Sequence, residues 1–158
     1  MTTFDASNQR LFIEVEEKLT GELWRGDYQS KYIEEITAKT GVPKKFIQFV
    51  KMVIQALKGQ NSDMCYLDLL TYADLEELKS KRTGQQPNPA NLNNPANMKK
   101  RYIILTESTS ASDKVHYPLP LNYIEEPEPD ALRRTLERMR SQILMQKSNA
   151  FSVQSAPT

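Results

Sequence analysis

The chain has 158 residues, the length of one domain with an appendage, and its 21 basic residues nearly balance its 20 acidic ones. A net charge of +1 and a mean hydropathy of −0.61 give no global field that selects a polyanion and no apolar run long enough to span a membrane. A single cysteine, Cys65, excludes an intrachain disulfide and argues against a cysteine-based metal site, and the N-terminus lacks a signal-peptide pattern, so a soluble intracellular protein is expected.

Residues 1–9 are polar apart from Phe4 and are expected to be disordered. Arg10–Glu16 alternates, with Leu11, Ile13 and Val15 on one side, as a half-buried strand does. The following LTGELWRGD reads as a turn holding Trp24. Residues 28–39 read as a helix capped by Asp27, with Tyr28, Tyr32, Ile33 and Ile36 on one face and Gly41 as its stop. Pro43 can open a second helix, in which Phe46, Phe49, Val50, Val53, Ile54 and Leu57 fit the helical period without a miss. The two form a helix–turn–helix whose apolar face should pack on a sheet carrying Leu67 and Leu69.

Residues 64–70 read as a strand. TYADLEEL follows as a short helix, with Thr71 and Asp74 placed for a capping box. Residues 80–98 hold three prolines, five asparagines and one leucine, too little apolar area to offset ordering, so a mobile loop is expected. Two apolar runs then flank a polar loop. Tyr102, Ile103, Ile104 and Leu105 suit a strand covered on both faces. Val115, Tyr117, Leu119 and Leu121 alternate with His116, Pro118 and Pro120. The two prolines lack N–H groups along one side, which marks this second strand as a sheet edge with its outer side blunted.

IEEPEPD breaks the chain, and Asp130 can cap a last helix over residues 130–147 with acids before it and arginines along it. Leu132, Leu136, Met139 and Ile143 are spaced four, three and four, a heptad seam of about two repeats. Residues 148–158 read as a disordered tail. The organisation expected is therefore an α+β head over residues 10–129 followed by the start of a coiled coil.

WRGDY, KYIEEITAKTG, LDLLTYADLEEL, KRYIIL and HYPLPLNY resemble the head of the coiled-coil domain-containing protein 61 (variable flagella) family from about Leu11 to Arg140. That family's head is related to those of the centriolar cartwheel protein and the DNA end-joining scaffolds. The resemblance implies a small antiparallel β-sandwich or barrel with an inserted helix–turn–helix. It also implies a non-enzymatic scaffold at centrosomes or basal bodies, built by head-to-head and coil-to-coil contact and anchoring microtubules or ciliary fibres. Three departures stand out. Only about nine residues precede Arg10, where the family has a further hairpin, so two strands are expected to be missing. The coil is short. The family's head contact uses an aromatic residue followed by Asp. Here Ser112 stands before Asp113 and Lys114, so that contact is expected to be weak and the protein mainly monomeric. A truncated product that binds full-length homologues through its head is the corresponding alternative.

No cofactor, metal or small-molecule substrate is expected. His116 lacks the partners of a catalytic or metal-binding constellation, and Cys65 in an apolar strand behaves as a small hydrophobe. Lys79, Lys81 and Arg82 precede the polar loop and Lys99, Lys100 and Arg101 follow it. If the loop closes, these six charges converge as a patch for the acidic microtubule surface; otherwise they are solvated loop ends. Nucleic acid is disfavoured because no aromatics are interleaved with the charges, although a DNA-repair-type scaffold of the same fold remains the alternative reading.

Overall fold

A computed structural model describes residues 2–5, 9–60 and 62–154. The chain divides into two compact units, Met1–Val15 with Trp24–Tyr123, and Glu16–Leu23 with Ile124–Thr158. Six strands, β1 (Thr2–Asp5), β2 (Arg10–Glu16), β3 (Leu23–Gln29), β4 (Cys65–Thr71), β5 (Arg101–Ser108) and β6 (Lys114–Ile124), form one sheet in the order β1-β2-β3-β6-β5-β4. The pairs β1–β2, β4–β5 and β5–β6 are antiparallel. Helices α1 (Ser30–Lys39) and α2 (Phe46–Leu57) are inserted between β3 and β4. Helix α3 (Tyr72–Thr83) follows β4, then the single turns α4 (Pro89–Leu92) and α5 (Pro95–Met98), and α6 (Pro129–Gln154) ends the chain. This is the expected α+β head, an antiparallel sheet with an inserted helix–turn–helix and a C-terminal helix.

The core follows from the two periodicities. Helix α2 turns Phe46, Phe49, Val50 and Val53 inward, where they meet Leu11, Ile13, Leu105, Tyr117 and Leu119 from alternate positions of the strands. Phe49 meets the Tyr117 ring edge-on at 5.7 Å. The Tyr117 hydroxyl donates to Glu107 Oε2 at 3.0 Å, and Lys44 Nζ lies 2.8 Å from Glu107 Oε1. Burial, and then the bond to Glu107, push the Tyr117 hydroxyl up to about 12. Thr37, fully buried, closes the turn between the helices by accepting from the Lys44 N–H at 3.0 Å. At α3 the expected capping box forms: Asp74 N–H donates to Thr71 Oγ1 at 3.2 Å and Thr71 N–H donates to Asp74 Oδ2 at 3.0 Å.

Several expectations are corrected. Strand β6 is interior, lying between β5 and β3. A proline removes a donor but keeps its acceptor, and the Pro120 carbonyl takes the Tyr28 hydroxyl. The neighbour on that side is β3, the segment read as a turn. Gly26 is buried there because the Tyr28 ring lies over it; a Cβ at Gly26 would stand 2.0 Å from the Tyr28 hydroxyl oxygen. Asp27 belongs to β3 and pairs with Arg10, so α1 begins at Ser30. Pro43 lies in the connection and α2 begins at Phe46. Leu57 and Leu69 are 57% and 50% exposed rather than in the core, since Leu57 ends α2 and β4 is the last strand of the sheet.

The N-terminal segment is not wholly irregular either. β1 pairs with β2 from Thr2↔Ile13 to Asp5↔Arg10, so the hairpin expected to be missing is present in part. Within residues 80–98, α3 continues to Thr83, and Asn88 and Asn94 each cap a proline-led turn by accepting from Ala90 N–H and Ala96 N–H at 3.0 Å. The last helix runs to Gln154, seven residues beyond the expected end, with Ser148 and Ser152 bonding back to carbonyls one turn earlier.

Candidate functional site

The hairpin tip is residues 109–113, between β5 and β6. It is closed by its own short polar side chains. Thr109 N–H donates to the Asp113 carbonyl at 2.9 Å, Ser110 Oγ donates to Asp113 Oδ2 at 3.0 Å, and Asp113 N–H donates to Ser110 Oγ at 3.1 Å. The base of the tip is held by Ser108, which donates through N–H to the Met64 carbonyl at 2.8 Å and through Oγ to the Asp63 carbonyl at 3.2 Å. Ser112 and Asp113 are exposed, and Lys114 Nζ lies 5.5 Å over the Tyr66 ring. An open hollow of about 430 Å³ beside the tip is lined by Asp63, Met64, Ser108 to Ala111 and Lys114. The Asp113 carboxylate thus shapes the loop, and the tip offers polar contacts with no aromatic anchor.

Helix α6 is the second surface. One of its faces is held by the segment 16–23. Glu16 Oε1 accepts from Thr135 Oγ1 at 2.9 Å and from Arg138 Nη2 at 2.6 Å, and Arg138 Nη1 donates to the Lys18 carbonyl at 3.0 Å. Burial would raise the Glu16 carboxyl, but the bonds from Arg138 and Thr135 and the charges of Arg138 and Arg134 outweigh it and hold it below the usual range. Gly21, at φ +78, fits where a Cβ would meet Thr135 Cγ2 at 2.9 Å and Met139 Cε at 3.5 Å. Of the four expected seam residues, Leu132, Leu136 and Ile143 are 49%, 67% and 54% exposed, and Met139 is half-buried.

The six basic residues do not meet in one place. Lys99, Lys100 and Arg101 stand at the start of α3, where Lys100 lies 5.6 Å over the Tyr72 ring and Arg101 helps hold the Asp74 carboxyl low, behind its hydrogen bonds from Thr71. Lys99 lies 5.0 Å over Tyr123, and Arg101 4.8 Å over Trp24, whose indole N–H donates to the Lys99 carbonyl at 2.8 Å. Lys81 and Arg82 lie at the other end of α3, where Lys81 pairs with Glu77 at 3.1 Å and Arg82 faces His116; Lys79 pairs with Glu76 at 3.2 Å. Aromatic rings do accompany these charges, supplied by β3, α3 and β6. Linear spacing does not show this, because each ring lies far along the chain from the charge it meets.

His116 lines an open groove with Tyr66, Asp68, Glu77, Lys81, Ile104 and Thr106, its Nδ1 2.9 Å from Thr106 Oγ1. Burial, then the charges of Arg82 and Lys114, hold its pKa below 6.5 against the opposing pull of Asp68. Burial also raises the Cys65 thiol, which points at the Met52 carbonyl 3.9 Å away. Among the described residues no three His, Cys, Asp or Glu side chains are grouped to hold a metal ion, and no helix is long and apolar enough to cross a membrane.

The family model of the CCDC61 N-terminal domain matches residues 1–128. Variable flagella 3 of Chlamydomonas reinhardtii is 48% identical over 143 residues, 90% of this chain and 23% of that protein. Centrosomal protein CCDC61 of Rattus norvegicus is 41% identical over 137 residues, 87% of this chain and 26% of that protein. The crystal structure of the head domain of human CCDC61 aligns with a TM-score of 0.60 at 37% identity, covering 78% of this chain and 85% of that one. The chain thus spans about a quarter of the length of these curated relatives. With the helix–turn–helix, the hairpin and the strand before Arg10 all inside the matched residues, the chain belongs to the CCDC61 N-terminal domain family.

Proposed function

We propose that this chain is the head of a non-enzymatic centrosomal or basal-body scaffold, working in the cytoplasm at the centrosome or the base of the cilium. The names of its relatives supply the setting: one is a centrosomal protein, the other a variable flagella protein. The observation that carries the reading is the exposed row Leu132, Leu136 and Ile143 on a helix of 26 residues, about 39 Å long at 1.5 Å per residue. Such a row on a soluble surface is a pairing seam. The second contact is the hairpin tip, with Asp113 and Lys114 as its polar part and Ser112 where the family resemblance puts an aromatic anchor. A central aromatic is worth at least about 2 kcal/mol, so head-to-head contact here is weaker than in an anchored head by roughly 30-fold or more. Anchoring to microtubules falls to the group Lys99, Lys100 and Arg101.

The test is placement in a ciliated cell. The tagged chain should concentrate at basal bodies or centrosomes. Leu136→Glu, which charges the seam without touching the core of the head, should reduce that enrichment. An even cytosolic spread of the unaltered chain contradicts the scaffold reading.

A further inference from the structure

Strand β4 is the last of the sheet, and its outer side can be assigned residue by residue. Ser108 N–H donates to the Met64 carbonyl at 2.8 Å, and the register of β4 on β5 places these two residues directly opposite each other. In an antiparallel ladder, residues that bond their opposite partner alternate with residues that do not. Tyr66, Asp68 and Leu70 therefore bond to β5, while Cys65, Leu67, Leu69 and Thr71 turn their N–H and C=O groups away from it. Thr71 gives its N–H to Asp74 in the capping box. Among the described residues, nothing bonds the outward groups of Leu67 and Leu69. Sheet edges are ordinarily blunted by proline, lysine, a bulge or brevity. Strand β4 has none of these: it is the seven residues CYLDLLT, paired without a break from Cys65↔Glu107 to Thr71↔Arg101. The two faces beside this edge differ. On the core side, Leu67 packs against the buried cluster and Leu69 is half exposed. On the side of α3, the exposed Asp68 shares a groove of about 360 Å³ with Asp74 and Glu77, and the groove's lysine, Lys81, is paired with Glu77.

A second copy of β4 fits this edge poorly. The antiparallel register with the greatest overlap, Cys65 against Thr71, sets Asp68 directly opposite its own copy, with the Cβ atoms about 5 Å apart and like charges facing. We propose that β4 receives an extended segment of another protein as an added strand. That segment carries an arginine or lysine opposite Asp68, flanked by branched apolar residues opposite Leu67 and Leu69. The flanking residues exchange backbone hydrogen bonds with Leu67 and Leu69 and cover the exposed part of Leu69. The cation pairs with Asp68 at the mouth of the acidic groove. Backbone bonds give the affinity, and the alternate side chains give the choice of sequence. This edge is separate from the α6 seam and the hairpin tip, so its test stands apart from theirs.

The experiment titrates the whole 158-residue chain with a short fluorescent peptide of alternating threonine and valine that has arginine at its centre between valine and isoleucine. At low salt this peptide should bind about tenfold tighter than the same peptide with glutamate at the centre, and the preference should shrink as salt rises. Bound peptide should slow hydrogen exchange at the Leu67 and Leu69 amides. Methylating the amide nitrogen of either residue beside the arginine, which faces β4, should abolish binding. Methylating the arginine's own amide nitrogen, which faces away, should not. Asp68→Lys, at an exposed side chain, should reverse the charge preference while melting like the parent. Binding that leaves the Leu67 and Leu69 amides unprotected would overturn the proposal, as would equal binding of the two peptides or binding of neither. Protection of the same amides that rises with chain concentration in the absence of peptide would give the edge to a second copy and overturn it too.

Discussion

Phe49 is fully buried at the meeting of α2 with β6 and stacks edge-on against Tyr117. Truncation to Ala removes the ring and leaves a cavity that close-packed neighbours refill only in part. Phe49→Ala is expected to cost about 3–5 kcal/mol, read as a large drop in the melting temperature. His116 gives a residue-level test by pH. Its folded pKa is depressed below 6.5, so the unfolded chain holds more protons between the two values. Stability is therefore full above pH 6.5 and falls as the pH drops from there toward the lower folded value. Denaturant titrations of His116→Gln across that window should show the slope flattened; an unchanged slope would assign it to another group.

Individual elements were legible where a local rule acted alone. The period of α2, the Thr71–Asp74 box and the alternation of β6 all came from near neighbours. Strand β3 did not, although its alternation is present: Trp24, Gly26 and Tyr28 point inward while Asp27 and Gln29 face solvent. Gly26 hides the pattern because it is buried for want of a side chain, under the Tyr28 ring. Without β3, the prolines of β6 could only be read as an edge, and the rings under Lys99 and Arg101 could not be seen. The extra length of α6 was hidden for a different reason, since SNAFSVQ has weak helical propensity and no apolar period to announce it. Two tests belong at this scale. Replacing residues 84–97 by a short Gly–Ser link should leave the unfolding midpoint nearly unchanged, because loop-closure entropy varies slowly with length and the Trp24–Lys99 bond lies outside the segment. Reversing charge at Lys99, Lys100 and Arg101 together should weaken microtubule co-sedimentation at low salt and flatten its salt dependence. No co-sedimentation by the parent chain would remove that role.

For the whole molecule, the scaffold reading rests on two surfaces of unequal strength. The tip has a preformed turn but no ring to bury. The helix has an exposed row of Leu132, Leu136 and Ile143, but one that covers only about two heptads. Neither is expected to hold two chains together at micromolar concentration, and both are expected to act once partners are concentrated in an assembly. Sedimentation velocity over a concentration series measures this most directly. A monomer is expected at low micromolar concentration, with a reversible shift toward dimer as concentration rises and association about tenfold or more tighter in Ser112→Phe. A tight dimer at every concentration that survives both Asp113→Ala and Leu136→Glu would contradict it. So would a strict monomer in both the parent and Ser112→Phe.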